Sequence, residues 1–151
     1  MSFTAYQDKL RSDFDAQMVA NSAATLIYWE GLDKPRLPGA SGASSAPVKA
    51  PGTAPWVRFS IVTADNADIS PGYRDDMGQV VVQVFGPLNV GAQATEDLAE
   101  TIAAQFRRRT VTISGQDRLN FGSVRVKEIG PEEEGWYQVN VLAAFSRKEA
   151  A

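Results

Sequence analysis

GQVVVQVFGP (residues 78–87), followed by LNVGAQATEDLAETIAAQFRRR (residues 88–109), is the stretch that decides the fold. The first part reads as a strand. Val80, Val82 and Val84 fall in one row, and Gln79, Val81, Gln83 and Phe85 in the other. Gly86-Pro87 ends it, because proline has no amide hydrogen to continue a ladder. The second part reads as an amphipathic helix over about 92–109. Leu98, Ile102 and Phe106 recur every four residues, with Ala94, Ala99 and Ala103 allowing close approach. Gln93 or Thr95 stands near its start. Glu96, Asp97 and Glu100 lie early and Arg107, Arg108 and Arg109 late, an order that suits the helix dipole. A strand running tightly into a helix gives a sheet with a helix packed on it, and no catalytic site follows from that alone.

Upstream, residues 2–22 have the period of a second helix. Ser2 is a candidate cap, and Phe3, Tyr6, Leu10, Phe14 and Met18 form one stripe. The stripe either docks on the sheet or binds a partner, and the first is the simpler reading. Thr25–Glu30 is a short β-rich run. Residues 35–55 hold five of the chain's eight prolines among Gly, Ala and Ser, and are expected to form a mobile loop within one domain spanning residues 1–151. Trp56–Thr63 reads as a strand, with Val57, Phe59 and Ile61 opposite Trp56, Arg58, Ser60 and Val62. Residues 64–77 are expected to be a polar turn region bent at Pro71-Gly72.

Downstream, Val111–Ile113 is a short strand, and Leu119–Phe121 continues β-like structure after a turn at Gly115. Val124–Ile129 and Trp136–Phe145 pair around Gly130–Gly135. Tyr137, Val139, Val141, Ala143 and Phe145 share one face of the last strand. The fold class is α+β: a mainly antiparallel β-sheet with two α-helices packed on it, in the order α-β-β-β-α-β-β-β.

Composition narrows the chemistry. The 151 residues carry a net charge of −3, against a general nucleic-acid binder. There is no cysteine and no histidine, so thiolate metal sites and the commonest general base are missing. No apolar run has the length of a membrane span, and no secretory signal is visible. No phosphate-loop, dinucleotide or nucleophile-elbow motif is present, so no cofactor is expected.

The remaining candidates are weak. Asp75-Asp76 and Glu132-Glu133-Glu134 can in principle do acid–base work, but neighbours on a strand face opposite ways and both groups read as solvated turn tips. Arg107–Arg109 can bind phosphate, or simply complement a helix end. Arg58, Arg125 and Lys127 on strands can form a basic stripe. Trp29, Trp56 and Trp136 are core by default, or sit in subunit contacts, where tryptophan is enriched.

The sequence of elements is nonetheless familiar. A helix leads to a β-run ending in Trp29-Glu30. Trp56-Val57-Arg58-Phe59 follows, then Gly78–Pro87 and the helix with Ala99, Ile102 and Phe106. The chain closes on Gly135-Trp136-Tyr137-Gln138-Val139-Asn140-Val141 and Phe145-Ser146-Arg147. Together these resemble the small tail terminator (tail completion) proteins of long-tailed bacteriophages. The resemblance implies a structural protein of the virion tail at the head–tail junction, assembled in the host cytoplasm. It implies a homo-oligomer, a hexameric ring, that caps the tail tube, ends tube polymerisation and offers a surface for head attachment. The implied partners are further copies of the chain, the tail tube protein and the head–tail connector protein, with no membrane and no specific nucleic acid, though the ring leaves room for DNA to pass.

On that resemblance the expected subunit or partner contacts are Trp56 and Arg58, the turn residues Tyr73, Arg74, Asp75 and Asp76, and Glu132, Glu133 and Glu134, with the 35–55 loop beside them. No catalytic, cofactor or metal residue is carried over. Three other readings stand beside it: another neck or head-completion joining protein, a small carboxylate-dependent enzyme, and a nucleic-acid module.

Overall fold

The structure, a computed structural model, describes residues 3–30, 35–39, 55–70, 73–88, 92–114, 117–131 and 135–150. For residues 3–6, 63–70, 73–76, 114, 117 and 148–150 it describes the backbone. The elements are α1 (Phe3–Asn21), β1 (Leu26–Tyr28), β2 (Trp56–Ser70), β3 (Tyr73–Pro87), α2 (Gln93–Phe106), β4 (Thr110–Ser114), β5 (Asp117–Pro131) and β6 (Trp136–Ala150). The six strands form one sheet in the order β1-β2-β3-β6-β5-β4. Every pairing is antiparallel except β1 with β2. The fold class and element order are those expected.

Both helices lie on one face. The valine row of β3 supplies Val80, Val82 and Val84, all fully buried. In register beside them on β6 stand Ala143, Val141 and Val139, also fully buried. Leu10, Phe14 and Met18 of α1 and Leu98, Ala99, Ile102, Ala103 and Phe106 of α2 close over this surface. The α1 stripe is therefore core wherever its side chains are described. Phe14 is the hub, stacked on Phe59 at 4.7 Å and near-parallel to Phe106 at 6.0 Å. Two glycines are sterically required. A Cβ on Gly78 would stand 2.7 Å from the Phe145 ring and 2.8 Å from the Val62 carbonyl oxygen. On Gly86 it would overlap the hydroxyl of Thr95, which sits in the first turn of α2.

Several expectations need correction. Residues 64–77 are not a turn region, because β2 runs on to Ser70 and β3 begins at Tyr73, paired across Asn66–Asp76, Ala67–Asp75 and Asp68–Arg74. Polar side chains hid a strand pair whose ladder is made by backbone groups alone. Asp75 and Asp76 are thus strand residues, level with Lys148 and Arg147 of β6. Leu119–Phe121 and Val124–Ile129 belong to one strand, β5, irregular between Phe121 and Val124. The helix expected over 92–109 stops at Phe106. Arg107 is extended at its C-cap and Arg108 is left-handed at φ 58°. The arginine triplet is thus no part of its last turn. Gln93 and Thr95 do stand at its start, in the first turn, and Ala92 holds the N-cap position with no side-chain cap. The loop expected over 35–55 starts with structure, since Arg36 exchanges backbone hydrogen bonds with Ile27 at 2.8 and 2.9 Å. Its residues 40–54, like Ser2, lie outside the described residues.

Candidate functional site

The face of the sheet turned away from the helices has no covering element among the described residues. It is organised in rows that cross the strands. At one end Trp56 stacks on Phe85 at 4.4 Å and meets Trp136 edge-on at 5.7 Å. Leu26 and Tyr28 of β1 pack against this cluster. The tryptophans are buried, 8% and 5% exposed, so they form a second small core on the outer face rather than part of the helix-backed one. The Trp56 indole N–H is buried and finds no acceptor among the described residues.

The next row is polar. Register places Arg58, Gln83, Asn140 and Lys127 side by side across β2, β3, β6 and β5. Exposed Arg58 lies 5.9 Å from the Trp56 ring centroid and 5.7 Å from that of Phe85, within cation–π reach of both. The Gln138 side-chain amide donates to Asn140 Oδ1 at 2.8 Å. Beyond lies the row Ser60, Val81, Leu142 and Arg125. The basic stripe suggested by Arg58, Arg125 and Lys127 does share a face, but Arg58 sits three strands away from the other two, roughly 14 Å at the usual spacing. Three cations spread so thinly make a poor phosphate track.

The expected contact residues do not gather in one place. Trp56 and Arg58 occupy the aromatic end of the sheet. Tyr73–Asp76 begin β3 at the far end, about 30–40 Å from Phe85 along an extended strand. Glu132–Glu134 lie outside the described residues. Phe85 and Trp136, which complete the aromatic cluster, were not singled out together by sequence. Their signal was there, since Phe85 falls in the row opposite the valines and Trp136 opens the last strand.

The acids do not converge either. Two groups do meet at the start of α2, where Glu96 and Glu128 share a hydrogen bond. Burial first, then the charge of Glu128 and that shared bond, push the Glu96 carboxyl above its ordinary 4.5. Burial followed by the same two charges raises Tyr137. Glu128 is exposed. One hollow, about 600 Å³, opens between α1 and the segment after β1, lined by Asp8, Arg11, Asp15, Trp29, Glu30 and Arg36 among others. Its carboxylates are already engaged. Asp8 pairs with Arg11, Asp15 accepts from the Gly39 amide, and Glu30 accepts from the Ile61 amide. Among the described residues no group of three metal-ligating side chains exists, and no helix is long and apolar enough to cross a membrane.

The arginine triplet is divided between separate tasks. Arg107 lies 3.6 Å from Glu100, and Arg109 grips Asp13 of α1 with two nitrogens, its Nε at 2.9 Å. That carboxylate raises the Arg109 pKa further. The arrangement ties α1 to the exit of α2 and offers no phosphate cradle.

What remains is the sheet face that no element covers among the described residues. A solved structure sharing 16% sequence identity aligns over 96% of this chain and 96% of its own, with a TM-score of 0.60. At that identity the likeness speaks to the fold alone. No curated protein matches the chain. The family described as phage tail terminator protein matches residues 23–145. That span covers the whole sheet up to Phe145 and all of α2, the elements that create the uncovered face. The chain belongs to the phage tail terminator protein family, a family of structural proteins of the phage tail.

Proposed function

We propose that this chain assembles into a ring that caps the tail tube, stops tube polymerisation and presents a surface for head attachment at the head–tail junction. The observation that carries the reading is a sheet helix-backed on one side only. Its other face bears an aromatic cluster and a polar row and lacks a cover among the described residues. A tail protein with such a face acts by docking. In this reading residues 1–151 work as one domain and act without catalysis. Trp56, Arg58, Tyr73, Arg74, Asp75, Asp76 and Glu132–Glu134 meet other subunits or partners. Because the two sets described in the structure lie at opposite ends of the sheet, they serve different contacts, one toward the tube and one toward a neighbour or the connector.

The test is assembly. Purified chain is added to growing tail tubes, and tube length and end structure are followed by negative-stain imaging. Tubes that stop at a defined ring support the reading. Tubes that grow unchecked while the chain binds only purified connector support a neck or head-completion role and sink the capping role.

A further inference from the structure

Each flank of the sheet is closed at one end only and open over the rest, and the open parts lie at opposite ends. β1 covers β2 only at Trp56–Arg58. Past it, the Ile61 amide is capped by the Glu30 carboxylate, and among the described residues nothing pairs with β2 from Thr63 to Ser70 on that side. On the other flank β4 covers β5 only from Asp117 to Asn120, with Phe121 N–H reaching Arg109 O. From Gly122 to Pro131 no described residue pairs with β5 on that side. Unpaired edges of this length are a hazard in a free monomer.

The two edges match. Antiparallel ladders alternate, so the outward-pointing amides can be assigned. Ile61 N–H points out of β2. Following the registers through β3 and β6, so do the amides of Asn66 and Asp68 on β2 and of Val124, Val126 and Glu128 on β5. β2 and β5 run in opposite directions, so β2 of one copy meets β5 of a neighbour turned about the ring axis as an antiparallel pair. Between Thr63 and Ser70 the chain carries Asp65 and Asp68 and no cation, while the open part of β5 carries exposed Arg125 and Lys127 beside Glu128. The open part of β2 is thus net acidic and that of β5 net basic by one charge.

The steps also fit. Pairing the open parts shifts each copy along the strands by about seven residues, roughly 23 Å. That shift leaves β1 of one copy end-on to β5 of the next, and β4 of that next copy end-on to β2. The short strands thereby act as stops that set the stagger, and the joined strands run oblique to the ring axis, as in closed barrels.

We propose that the β2 edge, Thr63–Ser70, joins the β5 edge, Gly122–Pro131, of the neighbouring copy as an antiparallel pair, making one sheet continuous around the ring. This rests on the ring reading above and names its subunit joint. The contact is heterologous, so it closes only by rotation.

The cysteine-free chain makes the test clean. Ala67→Cys is combined in turn with Arg125→Cys and Lys127→Cys in the full chain, which is then oxidised and run without reductant. Separately, Asn66→Pro and Glu128→Pro each remove an outward amide while sparing the ladders inside the subunit. The expected results are a ladder of covalent multimers ending at the ring size for at least one cysteine pair, and proline variants that keep wild-type circular dichroism but lose the ring by light scattering. If a proline variant fails to fold, the cysteine pairs alone decide. Rings that form without cross-linking in either pairing overturn the edge joint and leave the ring reading standing. A full chain that stays monomeric, both free and on purified tail tubes, overturns the two together.

Discussion

The Thr95 side chain occupies the place where Gly86 would carry a Cβ: an alanine methyl there would overlap the Thr95 hydroxyl and stand 3.0 Å from its Cβ. Strand β3 and the first turn of α2 therefore touch backbone to side chain. Gly86→Ala is expected to destabilise the chain by about 1–3 kcal/mol, the usual cost of overpacking. Thr95→Ala in the same chain removes the overlapping oxygen and should recover part of the loss. Urea unfolding of the double-mutant cycle checks it, and additive effects would show that the two residues do not share this contact.

Asp13 and Arg109 clamp α1 to the chain leaving α2. The Asp13 side chain is only 13% exposed, so removing its partner strands a largely desolvated charge. Arg109→Ala should cost about 1–3 kcal/mol. Arg109→Lys should rescue little, because a lysine ammonium cannot hold both carboxylate oxygens in a planar fork. Thermal unfolding of the three proteins provides the comparison, and full rescue by lysine would rule out the two-pronged grip.

Trp56 is held by rings on its faces and edges while its indole N–H goes unanswered among the described residues. Trp56→Phe keeps an aromatic ring on Phe85 and deletes the orphan donor. Its cost should stay under about 1.5 kcal/mol, whereas Trp56→Ala should lose about 3–5 kcal/mol. A phenylalanine variant as unstable as the alanine one would mean that the N–H is bonded in solution, for instance to water or to a segment outside the described residues.

These predictions rest on contacts that the sequence announced unevenly. The valine row of β3 and the four-residue spacing of Leu98, Ile102 and Phe106 were legible because one-sided burial leaves a periodic trace. The outer half of the β2–β3 hairpin left none, since a ladder of backbone hydrogen bonds is indifferent to whether Asp65, Asn66 or Asp68 hangs from it. The exit of α2 was misread because Arg107–Arg109 suit a helix end equally well inside or outside it, and only the long-range partner Asp13, 96 positions away, decides. Of the outer sheet face, Trp56 and Arg58 could be named from the alternation of β2. Their neighbours Phe85, Gln83 and Trp136 depend on strand register, which no local window contains.

Glu96 and Glu128 share a hydrogen bond at the start of α2, and burial together with the neighbouring charge raises the Glu96 carboxyl above 4.5. A raised acid pKa means that ionisation costs more in the folded chain than in the unfolded one. That cost is absent below pH 4.5 and fully present above the raised value, so the pair weakens the fold as pH rises through that window. Glu96→Gln should therefore raise the unfolding midpoint at neutral pH by a few degrees at most, as both groups are close to solvent. Below pH 4.5 the advantage should vanish. Tyr137 feels the same two charges, so in Glu128→Gln its phenol should also ionise at lower pH, which absorbance near the phenolate band can follow. A stabilisation that persists unchanged into acid would point instead to improved helix packing, and would dissolve the electrostatic account of this corner.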